Sequence, residues 1–158
     1  MKYKIYIVLF SFIFSSEYAE RYYSAMDKGI KMFESSETEG EFLETSNYFY
    51  RISQVVKDDW LSSYYYAYSN TSLSMMQDDP DIKELYLDKA FDIISPFDTL
   101  QISNIDSIAM SEIHTLKAMI YVGKIFINPM VNGMKYGSLA EKNINKAISY
   151  CPSNPRPY

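Results

Sequence analysis

The side chains able to do chemistry in this 158-residue chain are few. There is one histidine, His114, and one cysteine, Cys151. A structural zinc site needs four ligands, so no Cys/His cluster can form, and a single cysteine allows no disulfide within the chain. A catalytic histidine needs a nucleophile or an orienting acid beside it. Glu112 is too close in sequence to share the His114 face of a helix. His114 follows Ile113 at the edge of an apolar stripe, with Met110 and Ala118 a turn away, and is expected to pack at a boundary. The acidic groups are Asp58 with Asp59, then Asp78, Asp79 and Asp81, then Asp88 and Asp92. They form no calcium-binding loop of alternating aspartates closed by glycine. Asp78, Asp79 and Asp81 flank a helix start, where the helix dipole favours negative charge. No catalytic residue, metal ligand or cofactor site is expected.

Binding chemistry is better represented. Tyr64, Tyr65, Tyr66 and Tyr68 place four tyrosines in five residues, and one helix face cannot hold them all. Some must pack between helices and at least one should reach a groove or solvent, where tyrosine offers area and a hydroxyl together. The second candidate is residues 128–137, carrying Met130, Met134 and Tyr136. Pro129 disfavours helix at Asn128. With Gly133 and Gly137 it predicts a long loop, either functional or folded back over its own hairpin.

The elements that position these residues are helices. With 5 Gly and 6 Pro, turns are few and elements long. The pattern from Thr38 to Glu41, from Ser103 to Asp106 and from Ser138 to Glu141 fits a capping box. Asp79-Pro80 and the aspartates before Trp60 are further starts. Apolar residues then recur at helical spacing. The stripes are Tyr22, Met26, Ile30 and Phe33; Phe42, Phe49, Ile52 and Val56; and Leu61, Tyr65, Tyr68 with Met75 or Met76. They continue with Ile82, Tyr86, Ala90 and Ile93; Ile105, Ala109, Ile113, Leu116 and Ile120; and Ala140, Ile144, Ala147, Ile148 and Cys151. No stretch alternates as a strand. The expected fold class is all-α, in antiparallel helical hairpins.

Residues 1–16 read as an address. Lys2 and Lys4 precede an apolar run from Ile5 to Phe14, closed by Ser15 and Ser16, the layout of a secretory signal peptide. The run is short for a permanent span. Cleavage is expected after Ser16, or as late as Ala19, leaving a domain over 17–158 in the periplasm or at the cell surface. A retained segment would instead tether the chain to a membrane.

The hairpins show signs of repetition. Ala140, Ile144, Ala147 and Pro152 follow the order small, apolar, small, proline. Tyr86 to Ile93 with Pro96, and Asp59 to Tyr68, echo a second and a first helix of the same unit. These residues resemble the tetratricopeptide (TPR) repeat, in which small side chains let two helices approach. The order from Trp60 to Ala67, Asn128-Pro129-Met130 and Asn154-Pro155-Arg156 also resemble exported bacterial TPR-like proteins. The resemblance covers most of 39–158 and implies a short α-solenoid of hairpins with a concave surface. The ten-residue joint expected between the last two helices departs from the repeat. The Asn154-Pro155-Arg156 end reads as the opening of another helix, as if the array were incomplete.

The net charge is −5, with no basic run and no glycine-rich phosphate loop, which argues against nucleic acid as a partner. The function expected is non-catalytic protein–protein interaction or scaffolding, with a peptide or helix on the concave surface. The candidate contacts are Tyr64, Tyr65, Tyr66, Tyr68, Met130, Met134 and Tyr136. The alternative is a small ligand-binding or enzymatic helical domain with a Tyr/Met-lined apolar pocket. A closed pocket would favour the alternative and a shallow open groove the scaffold.

Overall fold

The computed structural model describes residues 3–56, 59–98 and 105–157, with side-chain detail from Glu17 onward. Among the described residues there are six α-helices and no strand: α1 Tyr3–Ser35, α2 Glu39–Val55, α3 Trp60–Met75, α4 Pro80–Ile94, α5 Ser107–Ile127 and α6 Pro129–Tyr150. A 3-10 turn at Ser95–Asp98 extends α4.

Local capping sets several starts. Thr38 and Glu41 form a reciprocal capping box at α2. Asp59 caps α3, accepting from Ser62 N at 3.0 Å. Asp79 caps α4, with Pro80 at its first position. Asp106 caps α5, accepting from Ala109 N at 2.8 Å. Ser103 and Asn104, part of the box expected there, lie outside the described residues, as does Asp58. The box expected at Ser138 does not start a helix, because Ser138 sits inside α6.

The expected loop at 128–137 is corrected. Residues 129–137 are helical, and Asn128 alone joins α5 to α6. Proline lacks an N–H that a first helical turn would leave unbonded, so Pro129 begins a helix as readily as it ends one. Asn128 Oδ1 accepts from Val131 N at 3.3 Å, and Asn132 Nδ2 donates to Lys124 O at 2.7 Å, fastening the joint. Gly133 and Gly137 stand where an added Cβ would meet nothing within 4 Å, and each costs the helix only about 1 kcal/mol.

Each helix packs on its sequence neighbours, and α3 also touches α1 and α5. The core lies between α3, α4 and α5, with Ala67, Leu87, Ala90, Ile94, Ile113, Leu116 and Ile120 excluded from solvent. Two stripes differ from expectation. Met75 and Met76 end α3 in solvent, and on α4 it is Leu87 and Ile94, not the exposed Ile82, that face the core. Much of the inward face of α3 is small and polar. Ser69, Thr71 and Ser74 bury hydroxyls that donate to their own helix's carbonyls, while Asn70 bridges to Ser46 on α2 at 2.9 Å. Close approach elsewhere relies on Ala140 and Ala147, both buried as expected, and on two glycines. A Cβ on Gly29 would stand 2.7 Å from the Phe49 ring, and one on Gly123 would stand 2.9 Å from Leu87.

His114 is wholly buried rather than at a boundary. Its ring stacks on Tyr150 at 5.5 Å and its Nδ1 bonds Asn143 Oδ1 at 2.8 Å. Residues 152–157 fold back onto α3 and α5. Asn154 Nδ2 donates to Ser111 Oγ at 3.0 Å and Glu112 Oε1 at 2.8 Å, and Arg156 reaches both Glu112 and Tyr64.

Candidate binding site

The site builds from the seam between α1 and α2. Gly29 admits the Phe49 ring, so the two helices lie close there, and Phe49 stacks on Tyr65 of α3 at 4.9 Å. From the adjacent position on α2, the Tyr48 hydroxyl donates to the Ala25 carbonyl at 3.2 Å, laying its ring along α1. Further towards the start of α1, the Tyr22 hydroxyl donates to Asp59 Oδ2 at 2.9 Å. The same oxygen caps α3, so one carboxylate holds both the helix start and the tyrosine. Burial and the Asp59 charge push the Tyr22 phenol well above its ordinary range, so it stays protonated.

Between these fixed rings runs a groove of about 400 Å³, open along one side. Its walls are largely apolar: Tyr18, Tyr22, Tyr48, Ile52, Val55 and Val56, with Arg21 and Arg51 at the margins. Val55 is 70% exposed and Tyr18 52%, an unusual outlay of apolar surface for a helix pair that has already buried Phe49. Past Tyr48 the seam continues as a more polar hollow of about 390 Å³, bounded by Lys28, Ser36, Glu44 and Thr45. The volume is in the range of small-ligand sites, and rings with few rotors suit a flat partner. The shape lies between the closed pocket and the shallow groove contrasted above.

The residues expected from the sequence are placed elsewhere. Tyr64 is 4% exposed and donates to Glu112 Oε2 at 2.8 Å, with burial raising its pKa beyond the normal phenol range. Tyr65 lies against Phe33 and Phe49. Tyr66 packs on Tyr50 at 5.3 Å. Tyr68 sits on Phe33 at 4.7 Å under the Arg156 guanidinium at 5.0 Å. The structure thus gathers the cluster between helices and beneath the C-terminal turn. Met130 and Met134 are more than 80% exposed on α6. Tyr136 is buried, stacked on Tyr121 at 5.8 Å with Lys124 over its ring. The two methionines and Tyr136 therefore do not share a surface.

The groove residues were not singled out by sequence reasoning. A signal was present: Tyr18, Arg21, Tyr22 and Ala25 recur at helical spacing, as do Tyr48, Ile52 and Val55, and both runs pair rings with arginine. Among the described residues, no three His, Cys, Asp or Glu side chains gather as a metal site. No described helix is long and apolar enough to cross a membrane.

No family model matches the chain, and no curated protein matches it. The chain is similar to a solved structure, the HusA haemophore from Porphyromonas gingivalis, at a TM-score of 0.71 and 24% identity. The alignment covers 87% of this chain and 64% of the haemophore's, so the chain spans less than two thirds of that protein's length. At this identity the likeness shows a shared helical fold. The tetratricopeptide resemblance has no family match behind it.

Proposed function

We propose that the chain is a non-catalytic binding protein that takes a flat, mostly apolar ligand, with haem as the candidate, in the groove between α1 and α2. The observation that carries this is the open apolar wall of Tyr18, Tyr22, Tyr48, Ile52 and Val55, which nothing in the described fold covers. The fold likeness to a haemophore supports the choice of ligand. Histidine contributes nothing to the groove, since His114 is sealed between α5 and α6. Tyr22 and Tyr48 have committed their hydroxyls to Asp59 and Ala25, so the grip rests on ring area.

In this reading the helices form a short TPR-like solenoid. Packing of each helix on its sequence neighbours, with α3 touching both α1 and α5, supports that arrangement. Residues 1–16 serve as an export signal. Cleavage after Ser16 keeps Tyr18 in the groove and cleavage after Ala19 removes it, which the intact mass of the exported chain distinguishes.

The test is a hemin titration of the chain from Glu17 onward, followed by Soret absorbance. Saturable one-to-one binding is expected. Val55→Asp places a charge in the apolar wall and should weaken it at least about tenfold. Absence of saturable binding, or equal weakening by the distant Met134→Asp, overturns the proposal. A second reading, partner docking, has its own observation: Phe126, Met130 and Met134 are all at least 70% exposed about the α5–α6 joint. Met130→Asp with Met134→Asp would then abolish partner capture from an envelope fraction and leave the hemin titration unchanged.

A further inference from the structure

We propose that the polar end of the same seam is a carboxylate-recognition subsite, in which Lys28 and Arg51 hold the acid group of an amphipathic ligand whose apolar plate lies in the groove. The proposal rests on the ligand-binding reading and names the chemical class that the groove selects.

The two cations come from different helices and converge on one ring. Lys28 Nζ of α1 lies 5.4 Å from the Tyr48 centroid, and Arg51 Cζ of α2 lies 5.8 Å from it. Both are within cation–π range, so Tyr48 preorganises them without neutralising their charge. Neither forms an ion pair with a described carboxylate, whereas their neighbours do. Arg21 is bound to Glu17 at 2.6 Å and Lys31 to Asp27 at 2.6 Å, each one turn apart on α1. The helix surface thus pairs Arg21 and Lys31 internally, and it leaves Lys28 and Arg51 for something else.

The hollow around them is otherwise satisfied. Thr45, 1% exposed, bonds Ser36 Oγ at 3.1 Å, and Ser36 Oγ donates to Met32 O at 2.7 Å. The Glu41 carboxylate is taken by Thr38 and by the Glu37 and Thr38 amides. Glu44 is the remaining acid in the lining, and its charge would disfavour a second carboxylate there. An incoming carboxylate can accept charge-assisted bonds from Lys28 and Arg51 together, while the ring of Tyr48 is shared with the apolar wall next door. A ligand with an acid at one edge of a flat apolar body matches both halves at once.

Two probes test it. Hemin is compared with hemin dimethyl ester, and pyrenebutyrate with its methyl ester, against the wild type and Lys28→Gln/Arg51→Gln. Both lysine and arginine are exposed, so the variant should fold, and circular dichroism confirms it. The wild type should bind each free acid about tenfold more tightly than its ester, and the variant should bind acid and ester within about twofold. Glu44→Gln should tighten the acids and leave the esters unchanged. Equal affinity of acid and ester for the wild type overturns the subsite, as does a variant that weakens both alike. The pyrene pair separates this from the haem reading. Acid-dependent binding of pyrenebutyrate without hemin binding refutes haem and upholds the subsite. Failure of both probes overturns both.

Discussion

Alanine placed at two different glycines should move stability in opposite directions. Gly29 and Gly137 are both inside helices, so replacing either gains about 1 kcal/mol of helix propensity. At Gly137 nothing else changes, because no atom lies within 4 Å of the new Cβ. At Gly29 the Cβ would stand 2.7 Å from Cε1 and Cζ of Phe49 and 3.1 Å from Tyr48. Carbon contacts settle near 3.5–4.0 Å, so the ring would have to retreat by about 1 Å. It has nowhere to go: Phe49 is wholly buried and stacked on Tyr65 at an interplanar angle of 15°. Overpacking of this kind costs about 1–3 kcal/mol, which outweighs the propensity gain. Gly29→Ala should therefore destabilise by about 1 kcal/mol and Gly137→Ala stabilise by about 1 kcal/mol. For a chain of this size that separates the two melting temperatures by about 4–8 °C. Thermal unfolding followed by circular dichroism at 222 nm, with urea titrations alongside, measures it. If Gly29→Ala stabilises as much as Gly137→Ala, the α1–α2 contact is not as close as described, and the groove built on it fails with it.

Asn154→Ala removes donors to Ser111 and Glu112 and the acceptor for Arg156 N, and should cost about 1–3 kcal/mol in urea unfolding; Asn154→Asp should be no milder, since it faces Glu112. Glu41 is held below its ordinary 4.5 by the Glu37 amide first, then the Thr38 amide and hydroxyl. A depressed carboxyl stabilises the fold above its unfolded pKa and loses that share as pH falls through the folded value. The stability gap between wild type and Glu41→Gln should therefore close below pH 4.5. Tyr64 shows the opposite sign. Its pKa is raised, chiefly by burial, so its contribution is intact below the ordinary 10.0 and is lost as pH climbs beyond it. Tyr64→Phe should flatten the alkaline arm of the stability profile, read by denaturant midpoints between pH 9 and about 11.

How much of the fold could be read from residues alone depended on reach. Caps were legible because their partners lie three residues away: Thr38 with Glu41, Asp59 with Ser62 and Asp79 with Ile82 behave as local chemistry demands. The segment at 128–137 was misread because proline and glycine were counted as breakers. Pro129 sits at a helical position that suits it, and two glycines at about 1 kcal/mol each do not break a helix of this length. The site was least legible. The run from Tyr64 to Tyr68 announced aromatic area but not its destination, because α1, α2, α5 and the C-terminal turn converge on it from residues up to 92 positions away.

From its sequence alone the chain was determined to be helical, lacking a His/Cys cluster, and closed to disulfide chemistry within itself. Those conclusions rest on periodicity and on inventory, which need no knowledge of neighbours. Only the tertiary structure decided which faces stay uncovered. Tyr22, Tyr48 and Val55 lie on stripes that look like any others, until the approach at Gly29 ends and the helices part around a groove. A stripe says that a face wants apolar company. Whether the fold supplies that company or leaves it to a ligand is a matter of how the helices pack, and no single helix carries that information.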